Sequence, residues 1–233
     1  MKRLAIMQPY FFPYIGYFQL IQSVDQFIVY DNIKYTKKGW INRNRMLQHG
    51  KVAVFSLPLK GDSDFLDVVE RELAPDFNAA KFLNRILVAY RLAPYFREAA
   101  PVLEAAMACE DRNLFRFVHH SLGQVCAYLG IDTEIVLSSS LPIDYALKAQ
   151  DKVIALCKQA QAEVYINPIG GTELYSREEF WMQGIELKFL RALPFEYPQA
   201  GPAFVHWLSI VDVMMFNSVG SIQERLASGY QLV

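Results

Sequence analysis

Short apolar segments alternate with helical patterns along this sequence, and the alternation sharply limits the folds open to the chain. Strand-like segments, rich in β-branched and aromatic residues, cover residues 4–8, 26–30, 52–58, 133–137, 163–167 and 185–190. Helical spacing of apolar residues covers residues 15–23, 79–90, 102–108, 113–129, 149–161 and 176–183. Strands that alternate with helices pair mainly in parallel, with helices on both faces of the sheet. The sequence therefore predicts an α/β, Rossmann-like fold.

The stretch from residue 75 to residue 130 is almost wholly helical, with expected breaks at Pro94 and Pro101. We expect it to form a helical insertion, about residues 75–130, within one domain that spans residues 1–233. An apolar tail at residues 204–218 predicts a further helix that packs on the core.

Composition describes an ordinary folded chain of 233 residues, 53% hydrophobic and 20% charged. Its formal net charge of −1 gives no overall attraction to nucleic acid or to an anionic membrane. The first apolar segment ends at Gln8, which is too short for a signal peptide or a membrane span. We therefore expect a cytoplasmic protein without a membrane span.

Three cysteines and four histidines lack the spacing of a disulfide framework or a metal site. Buried, reduced thiols are expected, and no metal site is predicted. The sequence identifies no cofactor and leaves the oligomeric state open.

Four polar loops follow predicted parallel strands, at residues 8–17, 31–38, 138–140 and 167–171. In a doubly wound sheet, ligands bind outside the carboxyl ends of the strands, near the point where the strand order reverses. We therefore expect these four loops to form one ligand pocket.

The first loop combines prolines, aromatic residues and one glycine at the entry to a helix. Its predicted ligand-binding residues are Gln8, Tyr10, Tyr14, Gly16 and Tyr17. The tyrosines can stack on a planar group and need partners for their hydroxyls. Core packing explains part of this aromatic density, and Gly16 can equally serve close packing of helix and strand.

A cluster of basic residues after the second predicted strand suggests binding of a phosphate or carboxylate. Its predicted binding residues are Lys34, Lys37, Lys38, Asn42 and Arg43. A solvated surface loop is the alternative, although the interleaved Trp40, Asn42 and Asn44 favour function.

Two later loops add further predicted binding residues: Ser138, Asn167, Gly170, Gly171 and Tyr175. Ser138 can bind a phosphate or cap a turn, and the paired glycines permit close approach of the backbone to a ligand.

Asp31 and Asp212 are the predicted acid or base residues, because no histidine is well placed. Asp212 lies in an otherwise apolar segment, where a paired, structural carboxylate is the alternative.

Residues 7–21 resemble the start of the WbqC-like family of bacterial proteins, which are often encoded in surface-polysaccharide and O-antigen loci. Residues 165–168, Gly170, Gly171, Tyr175, residues 184–185 and residues 209–212 extend the resemblance over nearly the whole chain. Residues 14–17 also take the position of the His-x-Gly-His turn of nucleotidylyltransferases and pantoate-activating ligases. Here both histidines are tyrosine, so the imidazoles of that mechanism are absent.

The resemblance implies a role in sugar modification. Our hypothesis is a transferase of surface-polysaccharide or nucleotide-sugar biosynthesis, acting by acyl or aminoacyl transfer to a sugar. Its partner would be a phosphorylated or nucleotide-linked small molecule. The alternative is a non-catalytic protein that binds such a ligand and organises a biosynthetic complex.

Overall fold

A computed structural model of the protein describes residues 1–61, 63, 65–201 and 203–233. The described elements, in chain order, are β1 (Arg3–Met7), α1 (Ile15–Gln22), β2 (Gln26–Val29), β3 (Arg43–Gln48), β4 (Lys51–Ser56), α2 (Ala79–Tyr90), α3 (Phe96–Met107), α4 (Leu114–Leu129), β5 (Glu134–Leu137), α5 (Ala149–Gln159), β6 (Val164–Pro168), α6 (Arg177–Met182), β7 (Glu186–Ala192), α7 (Ile210–Phe216), α8 (Val219–Ser228) and β8 (Tyr230–Leu232). In this part of the chain, every helix is too short or too polar to cross a bilayer.

The central sheet has six strands in the order β5-β2-β1-β6-β7-β8. Its first five strands are parallel, and only the edge strand β8 pairs antiparallel, with β7. With the strands of this sheet counted along the chain, the order is the 3-2-1-4-5-6 of a dinucleotide-binding fold. The predicted Rossmann-like α/β class is confirmed, and the strand order reverses between β1 and β6.

Each face of the sheet has its own apolar core, because alternate residues of a strand point to opposite faces. Ala5 and Phe27 lie in the larger core with helices α1, α4, α7 and α8. Leu4 and Ile28 lie in the smaller core, with residues of α5 and α6. The two cores hold β1 and β2 rigidly, so the loops at their carboxyl ends begin from fixed positions.

The predicted strand at residues 52–58 lies outside the central sheet. It forms β4, which pairs antiparallel with the unpredicted strand β3 in a separate hairpin. The sequence pattern did not predict β3, because one of its buried positions is a polar residue, Asn44. The Asn44 amide donates to the carbonyls of Phe11 and Phe12 at 3.2 and 2.8 Å. The short strand β8 was also not predicted.

One expectation about helices was wrong, and the bounds of another were too wide. Pro101 does not break a helix but lies within α3, on its exposed side, where the carbonyl that loses a backbone partner can bind water. The tail is helical only from Ile210, since Trp207 has a φ of 60° and Ser209 caps α7 by accepting from the N–H of Val211 at 3.2 Å. α2, α3 and α4 occupy the predicted insertion between β4 and β5.

Candidate functional site

A cleft of about 330 Å³ opens where the strand order reverses, between the loops that follow β1 and β6. Six of the predicted binding residues line it: Gln8, Tyr10, Asn167, Gly170, Gly171 and Tyr175. Tyr30 and Ile33, just after β2, form a further wall. We call this space the switch-point cleft. Its position is the one at which open α/β sheets bind ligands.

The loop after β6 shows why two glycines follow Asn167. A Cβ on Gly171 would lie 2.1 Å from Nδ2 of Asn167, so any larger residue there would displace the Asn167 side chain. Asn167 is held in place, since its Oδ1 accepts from the Tyr165 hydroxyl at 3.1 Å and its Nδ2 donates to the Pro168 carbonyl at 3.1 Å. Gly170 is exposed, and a Cβ there would meet no atom within 4 Å. Gly171 therefore serves packing, and Gly170 leaves the cleft open.

Gly16 and Tyr17 have contacts that the fold itself requires. A Cβ on Gly16 would lie 2.3 Å from the Tyr14 ring. Tyr17 is buried, and its hydroxyl donates to the carbonyl of Gln8 at 2.8 Å. Burial raises the pKa of Tyr17 well above its ordinary value, so the hydroxyl stays protonated. Tyr17 therefore positions the loop that carries Gln8 and Tyr10, and the absence of a side chain at Gly16 leaves room for the Tyr14 ring.

Asp31 is buried at the carboxyl end of β2, where it joins the loops after β2 and β5. One carboxylate oxygen accepts from the Ser138 hydroxyl at 2.7 Å and from the backbone N–H of Ser139 at 2.9 Å. The other accepts from the Ser139 hydroxyl. The structure thus brings the predicted residues Asp31 and Ser138 together. Asp31 directly follows Tyr30, which forms part of the cleft wall.

Lys152, in the first turn of α5, is a site residue that the sequence analysis did not single out. Its ammonium lies over the rings of Tyr30 and Tyr145, 5.2 and 5.7 Å from their centroids, and 3.3 Å from Oδ1 of Asn32. Burial lowers the pKa of Lys152, although Asp67 and Asp31 oppose the shift. It provides a positive charge beside the cleft.

The predicted binding residues of the basic segment after β2 do not belong to the described lining of the switch-point cleft, although Ile33 of the same loop does. Arg43 turns back on its own loop, where it donates to the carbonyls of Gly39 at 2.9 Å and Lys38 at 2.6 Å. Asn42 is buried between the Tyr35 hydroxyl and the Leu57 carbonyl. Lys34 lies 5.4 Å from the centroid of the Phe65 ring. None of these residues, nor Lys37 or Lys38, is among the described residues that line the cleft.

Asp212 lies in the first turn of α7 and is fully buried. It accepts from the hydroxyls of Tyr90 at 2.9 Å and Tyr197 at 2.8 Å, and from Nε2 of Gln199 at 3.0 Å. Burial raises its pKa, against the opposite effect of those three donors. These contacts support the structural alternative for Asp212, because they join α2, α7 and the segment after β7.

A second cavity, of about 190 Å³, lies next to the cleft, and we call it the aromatic pocket. Its residues are Tyr10, Pro13, Tyr14, Trp40, Asn44, Arg45 and Trp207. Tyr10 lines both spaces. The predicted binding residue Tyr14 belongs here and not to the cleft. Trp207 and Arg45 were not predicted as site residues.

Comparison with known proteins places the chain in a family. The model of the WbqC-like protein family matches residues 8–224. A Mycobacterium tuberculosis (strain ATCC 25618 / H37Rv) protein, described as "Uncharacterized protein Rv1507c", is 30% identical over 220 residues, which cover 93% of this chain and 94% of that protein. No solved structure gives a significant match. The protein therefore belongs to the WbqC-like family.

Proposed function

We propose that this protein is a transferase of bacterial surface-polysaccharide or nucleotide-sugar biosynthesis, which binds a phosphorylated or nucleotide-linked ligand in the switch-point cleft. The reaction is acyl or aminoacyl transfer to a sugar. The observation that supports it best is the cleft itself: it lies at the reversal point of a Rossmann-ordered sheet and is lined by polar loops from β1 and β6.

Lys152 supplies the charge that this ligand requires. The basic residues after β2 that the sequence analysis expected to neutralise the phosphate are not among the described residues that line the cleft. Lys152 is not among them either, but its ammonium stands over the cleft residue Tyr30. Backbone groups of the loop at residues 167–171 complete the binding surface, because Gly170 permits close approach.

Asp31 is the base in this proposal. In acyl transfer, an amine of the sugar attacks the carbonyl of an activated acyl group, the carrier leaves, and the amine loses a proton. Asp31 accepts that proton, with Ser138 and Ser139 fixing its carboxylate.

One observation favours the alternative, a non-catalytic binding protein. Among the described residues that line the cleft there is no carboxylate, histidine or cysteine. Asp31 lies behind that wall and is 3% exposed. Asp31→Asn separates the two functions: a transferase keeps ligand binding and loses turnover, while a binding protein has no turnover to lose.

The first test is Gly170→Leu, measured by native mass spectrometry and calorimetry with a panel of nucleotides, nucleotide-sugars and acyl-phosphate donors. Because nothing packs against a Cβ at this position, we expect the variant to fold normally. Because Gly170 lines the cleft, we expect its leucine side chain to obstruct the site, and binding of the ligand found with the wild-type protein should weaken about tenfold or more.

The matched control is Gly220→Leu. Gly220 is exposed on α8, away from the cleft, and it also has no atom within 4 Å of a Cβ. Equal binding by both variants, or no ligand from the panel on the wild-type protein, would reject the cleft as the ligand site.

A further inference from the structure

We infer that the aromatic pocket binds a single pyranose ring that carries a carboxylate or phosphate group. Binding alone is independent of the function proposed above. The role of this ligand as the sugar acceptor of the transfer rests on that function.

The walls of the pocket suit the apolar face of a sugar. Trp40 and Trp207 are 39% and 54% exposed, although large aromatic side chains are normally covered. The Tyr14 and Trp207 rings meet at 79° with centroids 5.7 Å apart, and so they form a corner. The C–H groups on one face and one edge of a pyranose can pack into such a corner.

Arg45 supplies an uncompensated positive charge. Its guanidinium lies over Trp40, 5.6 Å from the ring centroid, and among the described residues it donates one hydrogen bond, to the Trp207 carbonyl at 2.9 Å. Its Nε is buried without a partner. In the described part of the chain, no carboxylate pairs with Arg45. A guanidinium with unused donors in a partly buried pocket favours an anionic ligand.

The remaining polar groups fit hydroxyls better than a base. The Asn44 amide could otherwise hydrogen-bond the edge of a base. Instead it donates to the carbonyls of Phe11 and Phe12 and accepts from the backbone N–H of Arg45. The Tyr10 and Tyr14 hydroxyls have no hydrogen-bond partner among the described residues and can serve hydroxyls of a sugar.

The pocket is small and preorganised. Its volume of about 190 Å³ admits one ring, and drug-sized ligands occupy roughly 300 Å³ or more. Trp207 has a left-handed backbone, with a φ of 60°, which is costly for a bulky residue. Arg45 holds it there through the Trp207 carbonyl and through its own carbonyl, which accepts from the N–H of Ser209 at 3.0 Å.

Tryptophan fluorescence provides a direct test, because the chain has three tryptophans and Trp181 is the one outside the pocket. Trp181→Phe leaves Trp40 and Trp207 as the only emitters. We expect saturable changes in emission with glucuronate and glucose 6-phosphate, and binding of glucose weaker by about tenfold or more. Comparing the two anionic sugars distinguishes a carboxylate from a phosphate ligand.

Two variants in the Trp181→Phe background test the residues. Arg45→Gln should remove the preference for the anionic sugars, while Arg45→Lys retains part of it. Trp40→Ala, at an exposed position, should weaken the binding of all the sugars. The fluorescence of Trp207 still reports binding in this variant. Thermal melting verifies folding of each variant.

Three results would overturn the inference: binding of glucose as tight as that of both anionic sugars, Arg45→Gln without effect on the preference for anionic sugars, or binding of benzoate tighter than that of either anionic sugar. Gly170→Leu separates this inference from the proposed function. It should leave fluorescence titrations of the pocket unchanged even where it abolishes binding of nucleotide-linked ligands in the cleft.

Discussion

Asp212 illustrates how a buried carboxylate can be explained by its partners alone. Asp212→Ala leaves the hydroxyls of Tyr90 and Tyr197 and the amide of Gln199 without their acceptor. We expect the free energy of unfolding to fall by about 3 kcal/mol, since buried donors left unsatisfied cost about 1–3 kcal/mol each and part is recovered by relaxation. Chemical denaturation measures the loss. Asp212→Asn retains one acceptor and should lose less.

The same residue predicts a pH dependence. Its pKa in the folded protein is raised above 3.8, mainly by burial. The folded state therefore holds the proton at pH values where the unfolded chain has released it, and stability from this group declines as pH rises through the folded pKa. The stability advantage of the wild type over Asp212→Asn should shrink from acid to neutral pH. A constant difference in denaturation midpoints would contradict the raised pKa.

Within the candidate site, the residues that could be predicted from the sequence are those near the carboxyl ends of predicted strands. Gln8 directly follows β1, Asn167 lies near the end of β6 and Gly170 lies just beyond it, so the topology alone brings them together. Lys152 could not be found this way, because its partner Asn32 lies 120 positions away and no local pattern records that contact.

At the scale of elements, α4 provides a paired test of how glycine acts within one helix. Gly123 is exposed in its interior, and a Cβ there would meet no atom within 4 Å. Gly130 ends the helix with a φ of 67°. Gly123→Ala should raise the free energy of unfolding by about 0.5–1 kcal/mol, and Gly130→Ala should lower it by about 1 kcal/mol or more. Denaturant titration of both variants should give opposite signs, and equal signs would reject this assignment of the helix end.

The bounds of one helix, α2, agree with those predicted from the periodicity of its apolar residues. α2 has the bounds predicted for it, residues 79–90. β3 was not predicted, because Arg43 and Arg45 alternate with its buried positions. One of those buried positions is Asn44, whose hydrogen-bond partners belong to another segment. Pro101 within α3 shows the converse, that tertiary packing of a helix can outweigh a local breaker.

For the whole molecule, two cysteines report on the two faces of the sheet. Cys126 lies in the larger core and Cys157 in the smaller one. Burial raises the pKa of Cys126 to about 12 and raises that of Cys157 as well, so both thiols should resist modification in the folded protein. Cys109 is half-buried and should react first.

A single domain predicts that Cys126 and Cys157 become reactive at the same denaturant concentration, because its two cores unfold together. Labelling with a thiol reagent across a urea series, read by peptide mass spectrometry, measures both sites at once. Exposure of Cys126 at clearly lower urea would instead show that the helical insertion and its face of the sheet unfold separately.

Tyr10 is a wall of both the switch-point cleft and the aromatic pocket. Two ligands that touch one ring cannot be independent of its orientation. If an occupant of the cleft fixes that ring, the occupant of the pocket gains or loses affinity by some factor, and thermodynamic linkage requires the reverse effect to be the same factor. A single tyrosine can thus make the two sites cooperative, and the order in which the ligands arrive leaves the free energy of the ternary complex unchanged.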